Sequence, residues 1–154
     1  KPLWTPDPDQ IRKLQIAGFM REAGGNFATY DGLWRWSVEN PEKFWSLLWD
    51  FCGVIGDKGK EVLADGGKMP GARFFPQAKI NYAENLLRRD DGGTAIIFRD
   101  ERGEERSLTF RDLQQQVSRL AQAFKKAGLK PGDRVAGCMP NMPETIIAML
   151  ATAS

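Results

Sequence analysis

The chain has 154 residues, 42% of them hydrophobic and 27% charged, with 22 Lys and Arg against 20 Asp and Glu for a net charge of +2. That length supports one domain with a real core, and the balance is that of a globular protein, not a disordered or membrane one. The interspersed charges exclude the one-sided basic footprint of a nucleic-acid or membrane-surface binder; no apolar run reaches the length of a membrane span and no signal peptide is visible, so a cytoplasmic location is expected.

The chain contains no histidine. A Ser-His-Asp or Cys-His site is therefore excluded, and the commonest zinc ligand is missing. Cys52 and Cys138 stand far apart in apolar segments, which predicts buried free thiols, not a disulfide or metal pair. The five tryptophans, Trp4, Trp34, Trp36, Trp45 and Trp49, all fall in the first third. That asymmetry predicts a layer or domain boundary downstream of them.

Lys1 to Thr5 reads as an extended lead-in without an initiator methionine, so further residues upstream are expected. Asp7-Pro8-Asp9-Gln10 is a helix start, with Asp7 as N-cap and Pro8 at the first helical position. Ile11, Leu14, Ile16, Phe19, Met20 and Ala23 carry the helical pattern to a stop at Gly24-Gly25. Asn40-Pro41 divides the next run into two short helices, with Asn40 as the cap of the second. In that second helix Phe44, Trp45, Leu48, Trp49 and Cys52 form a broad apolar stripe. Aromatic crowding of this kind can stack a sugar or a base. Helical periodicity already explains the spacing, so packing is the expected role.

Residues 53–71 are rich in glycine and lysine, with a short strand expected at Val62-Leu63. Asp65-Gly66-Gly67-Lys68 resembles a phosphate loop only superficially. It lacks the preceding strand, the spaced second glycine and the Ser or Thr after lysine, and a turn is expected. Arg73-Phe74-Phe75 is an extended piece stopped by Pro76. Asn81 and Glu84 frame a helix that runs to Arg89.

Ala95 to Phe98 is apolar without alternation, which predicts a strand buried on both faces. Asp100 to Gly103 turns it back into Arg106-Ser107-Leu108. Thr109 caps a long amphipathic helix with Phe110, Leu113, Val117, Leu120 and Phe124 on one face. Gly128 ends it, and Lys130-Pro131-Gly132-Asp133 makes a tight turn. Residues 134–139 are expected to be a strand. Asn141 is expected to cap a last helix that is apolar all round and hence buried all round. Nothing after that helix covers it, and a strand-helix-strand-helix series needs further strands. Both features predict a truncated α/β domain.

The stretch LTFRDLQQQVSRLAQAFKKAGLKPGDRVAGCMPNMPETIIAML resembles the opening of the large domain of the acyl-adenylate-forming, or AMP-binding, superfamily. Its marks are the Leu108-Thr109-Phe110 helix start, Gly128 to Asp133, and Pro140-Asn141-x-Pro143-Glu144. Upstream, YDGLWRWSVENPEKFWSLLWDF and FFPQAKINYAENLL resemble the N-terminal extension shared by acetyl- and acetoacetyl-CoA synthetases. Trp34-x-Trp36-Ser37-Val38 and Met69 to Pro76 are most similar to the acetoacetate–CoA ligases of that branch.

The resemblance implies an N-terminal helical region over residues 1–76. It implies the opening hairpin and strand-helix-strand-helix of the large domain over 77–154. It implies an ATP-dependent acid–thiol ligase that converts acetoacetate, ATP and CoA to acetoacetyl-CoA, AMP and pyrophosphate through an acyl-adenylate. Magnesium (Mg2+) and positioned donors would stabilise charge on the phosphate. The implied partners are these small molecules, with no nucleic acid and no membrane; the oligomeric state stays open.

The family's phosphate loop, adenine and ribose motifs and catalytic lysine have no counterpart in these residues. No catalytic, cofactor-binding or metal residue is therefore assigned, and the 154 residues are expected to be inactive and to bind no cofactor. Asn141 lies where open α/β sheets tend to bind ligands, but its capping role accounts for it. The alternatives are an acetyl-CoA or other short-chain acyl-CoA synthetase, and a Trp-rich interaction module without catalysis. A free-standing dinucleotide-binding domain is disfavoured, because no G-x-G-x-x-G follows a strand.

Overall fold

The computed structural model describes residues 3–25, 27 and 29–154. The chain divides into two units, residues 1–79 and residues 80–154. The expected lead-in begins at residues outside the described ones; from Leu3 and Trp4 onward it is exposed.

In the first unit, Asp7 accepts a hydrogen bond from the Asp9 amide at 3.0 Å, and Pro8 opens α1 (Pro8–Lys13). The single helix expected up to Ala23 is two. Leu14 is extended, and α2 (Gln15–Glu22) starts after it. No proline or glycine marks the break. α1 buries no residue, and so short a helix has little to hold it in line with the next without packing. Gly24, at φ +70°, closes α2 as its position predicts.

Thr29 accepts from the Gly32 amide and starts α3 (Tyr30–Glu39). The chain breaks before Pro41 and resumes as α4 (Pro41–Phe51). A residue preceding proline is pushed out of the helical region, and Asn40 sits at φ −130°. Asn40 takes the N-cap position of α4, and its carbonyl accepts from the Phe44 amide at 3.0 Å, but its side chain makes no capping bond there. Its side-chain amide donates to the Trp36 carbonyl at 3.2 Å, so it finishes α3 instead.

The stripe on α4 packs onto other rings. Phe44 meets Phe19 at 5.7 Å and Trp36 at 6.2 Å, Trp45 meets Phe74 at 5.4 Å, and Trp49 meets Phe75 at 5.0 Å. These edge-on and tilted arrangements are the ones that ring quadrupoles favour. Phe19 and Leu33 are the buried residues of this unit.

Short strands follow: β1 (Gly56–Asp57), β2 (Leu63–Ala64), β3 (Arg73–Phe74) and, at the boundary of the units, β4 (Lys79–Ile80). β2 and β3 pair antiparallel, with Leu63 opposite Phe74. The strand expected at Val62-Leu63 is thus displaced by one residue, although Val62 still accepts from the Phe75 amide at 2.8 Å. Asp65 to Lys68 is a turn, as expected. The Asp65 carboxylate holds Lys68 at 3.0 Å and Arg73 at 3.3 Å.

In the second unit, Asn81 accepts from the Glu84 amide and starts α5 (Tyr82–Leu86). The same side chain donates to the Ala153 carbonyl at 2.9 Å, joining two segments 72 residues apart. α5 stops short of the expected Arg89. The Arg89 guanidinium is taken by Asp91 at 2.8 Å and lies 3.8 Å from the centre of the Phe110 ring. Both contacts favour a chain already turned out of the helix.

β5 (Thr94–Arg99) and β6 (Glu105–Thr109) form the expected hairpin, with Ile96 opposite Leu108 and Arg99 opposite Glu105. Asp100 builds the turn by accepting from the Arg102 and Glu104 amides, and Gly103 supplies φ +85°. β5 is not buried on both faces, because a two-stranded sheet packed on one helix has a second face with nothing against it. Ile97 is 70% exposed on that side. Thr109 and Asp112 make a full capping box for α6 (Phe110–Lys126). The Leu129 amide folds back to the Phe124 carbonyl after Gly128, at φ +92°. α7 (Pro143–Ala153) packs against α6.

The core of this unit comprises Ala83, Leu113, Val117, Ala121, Ile147, Leu150 and Ala151. α7 is therefore buried on one face and not all round; Ile146 and Met149 remain exposed. Residues 134–139, expected to be a strand, form no ladder, and every residue from Pro131 to Pro140 is exposed. A strand persists only beside a neighbour, and the described residues offer it none. Cys138 lies in that stretch and is exposed, as is Cys52. The expectation of buried thiols fails at both positions. No disulfide joins them.

Candidate functional site

A concavity of the second unit lies between α6, residues 135–139 and α7. It is a groove of about 1090 Å³ whose walls include Leu120, Phe124, Val135, Met139, Ile147 and Ala148. Its walls follow from the pattern of each element. α6 presents Leu120 and Phe124 from its apolar stripe, and α7 adds residues between its buried and exposed faces.

At the start of α7, Arg106 grips Glu144 with two hydrogen bonds of 2.9 and 3.1 Å. The Arg106 guanidinium lies 5.0 Å from the centre of the Phe98 ring. The Arg106 hydrogen bonds hold the Glu144 carboxyl below the usual range, and Glu144 in turn raises Arg106. The pair spans 38 residues, and no local spacing signals it.

Asn141 does not cap α7. Met142 takes the N-cap position, with no side-chain hydrogen bond. The first turn is tied instead by Thr145, whose hydroxyl donates to the Pro140 carbonyl at 2.6 Å. Pro143 occupies the first helical position, so α7 begins one residue later than a cap at Asn141 implies, and the proline ring fixes where the helix begins. Asn141 is exposed. Capping therefore does not account for it, and no metal-binding cluster of His, Cys, Asp or Glu stands beside it among the described residues.

Among the described residues, no group of three or more His, Cys, Asp or Glu could hold a metal. The carboxylates with shifted acidity are engaged. Asp91 is lowered by Arg89, Asp100 by Arg102, Asp112 by Thr109 and Glu144 by Arg106. Lys68, in the Asp65 to Lys68 turn, pairs with Asp65. What the second unit presents is an apolar, half-open face with a charged clasp at one end. Among the described residues, no helix is long and apolar enough to cross a membrane.

Two family models match the chain. Residues 30–86 match the acetyl-coenzyme A synthetase N-terminus, and residues 84–154 match the AMP-binding enzyme family. The acetoacetyl-coenzyme A synthetase of Rhizobium meliloti (strain 1021) is 48% identical over 100% of this chain and 24% of its own length. The acetoacetyl-CoA synthetase of Xenopus tropicalis is 36% identical over the same shares. A solved structure, acetoacetyl-CoA synthetase from Streptomyces lividans, superposes with a TM-score of 0.83 at 38% identity, covering 99% of this chain and 25% of that one. The chain thus spans about a quarter of the length of these relatives. Residues 84–154 thus match the AMP-binding enzyme family and residues 30–86 the acetyl-coenzyme A synthetase N-terminus, and the chain as a whole is similar to acetoacetyl-CoA synthetases.

Proposed function

We propose that this chain acts as part of an ATP-dependent acid–thiol ligase that joins acetoacetate to CoA, forming acetoacetyl-CoA, AMP and pyrophosphate through an acyl-adenylate. Residues 1–76 serve as the synthetase-type helical region and residues 77–154 as the first part of the AMP-binding domain. The observation that carries the proposal is the whole-chain match at 48% identity, which includes the Trp-rich helices that a general AMP-binding match leaves out. ATP, CoA and Mg2+ belong to the complete enzyme in this proposal, and its place is the cytoplasm. These residues act as scaffold: α6 and α7 supply a packed pair of helices, and the groove beside residues 134–139 is a surface for more of the same domain.

Pyrophosphate exchange into ATP tests the proposal. The 154-residue chain alone should give no exchange with acetoacetate. A chimera carrying it in place of the matching quarter of the Rhizobium meliloti relative should exchange with acetoacetate in preference to acetate. Exchange by the chain alone would refute the scaffold role, and a preference for acetate would move the substrate to acetyl-CoA synthetase chemistry.

A further inference from the structure

We draw no further inference here: the strongest candidate, the apolar groove between α6, α7 and the unpaired residues 134–139, belongs to the domain surface already described, and nothing in the structure shows what covers it.

Discussion

Leu150 and Met149 are neighbours on α7, and the sequence pattern treats them alike. The structure does not: Leu150 is 2% exposed and Met149 is 46% exposed. Leu150→Ala removes about three carbons from the α6–α7 core, worth roughly 2.4 kcal/mol at about 0.8 kcal/mol per buried methylene. A cavity adds to that, but α7 has an open outer face and can settle inward. The expected loss is therefore ~2.5–3.5 kcal/mol, in the lower half of the range for Leu→Ala. Met149→Ala, which trims a side chain already half in water, should cost under ~1 kcal/mol. Urea unfolding followed by far-UV circular dichroism, with amide exchange in α6 as a second probe, separates the two. With a slope near ~1.5 kcal/mol/M, Leu150→Ala lowers the midpoint by ~2 M. If Leu150→Ala leaves the unit unfolded, Ile147→Val, at ~1 kcal/mol, keeps the comparison measurable. Equal losses at Leu150 and Met149 would show that α7 is enclosed on every side, and the one-sided packing would be refuted.

Thr109→Ala deletes the cap of α6 and should cost ~1 kcal/mol, read as a lower urea midpoint with unchanged slope; no change would mean that the capping box is not formed in solution. Glu144 and Asp112 have folded-state pKa values below their unfolded ones, lowered by Arg106 and by Thr109. Their contribution is therefore present above the unfolded carboxyl range, near pH ~4–4.5, and is lost as pH falls through the lower folded values. Glu144→Gln should flatten the acid side of a stability–pH profile, and the Arg106–Glu144 pair, about half exposed on both sides, should weaken with added salt. An unchanged acid limb in Glu144→Gln would contradict the clasp. Trp34 is 55% exposed, whereas Trp49 packs on Phe75. Trp34→Phe should shift the remaining emission to the blue and reduce acrylamide quenching, and Trp49→Phe should do the reverse; the opposite pattern would place the docked rings on the wrong helix.

Local signals were legible because they are complete within a few residues. Asp7, Thr109 and Asn81 each carry an acceptor within reach of amides two or three positions on, and all three cap as their sequence neighbourhood predicts. Gly24, Gly103 and Gly128 take the positive φ that their turns require. Asn40 holds the N-cap position without a side-chain capping bond and Asn141 does not take it, and both stand before or near proline. In each case a carbonyl outside the local pattern decided the outcome. Asn40 found the Trp36 carbonyl behind it, and at α7 Thr145 took the Pro140 carbonyl. Asparagine carries both a donor and an acceptor, so its type alone does not say which end of which helix it serves.

The errors in burial share a different cause. Ala95 to Phe98 and α7 are each apolar enough for an interior, and the sequence predicts burial of each on more than one side. Hydrophobicity states what a segment needs; burial depends on what stands opposite it. α6 stands opposite one face of β5 and one face of α7, so Ile96, Ile147 and Leu150 are covered while Ile97, Ile146 and Met149 are not. Residues 134–139 face no paired strand at all. The same argument applies to the candidate site. The family resemblance rests on residues that cap, turn and pack, such as Thr109, Gly128, Pro131 and Pro143. The chemistry it implies needs a phosphate loop and a lysine for which these residues have no counterpart. A segment can thus declare its family through its scaffold alone, which is why the groove beside α7 bears on function only through what the relatives place in the other three quarters of their length.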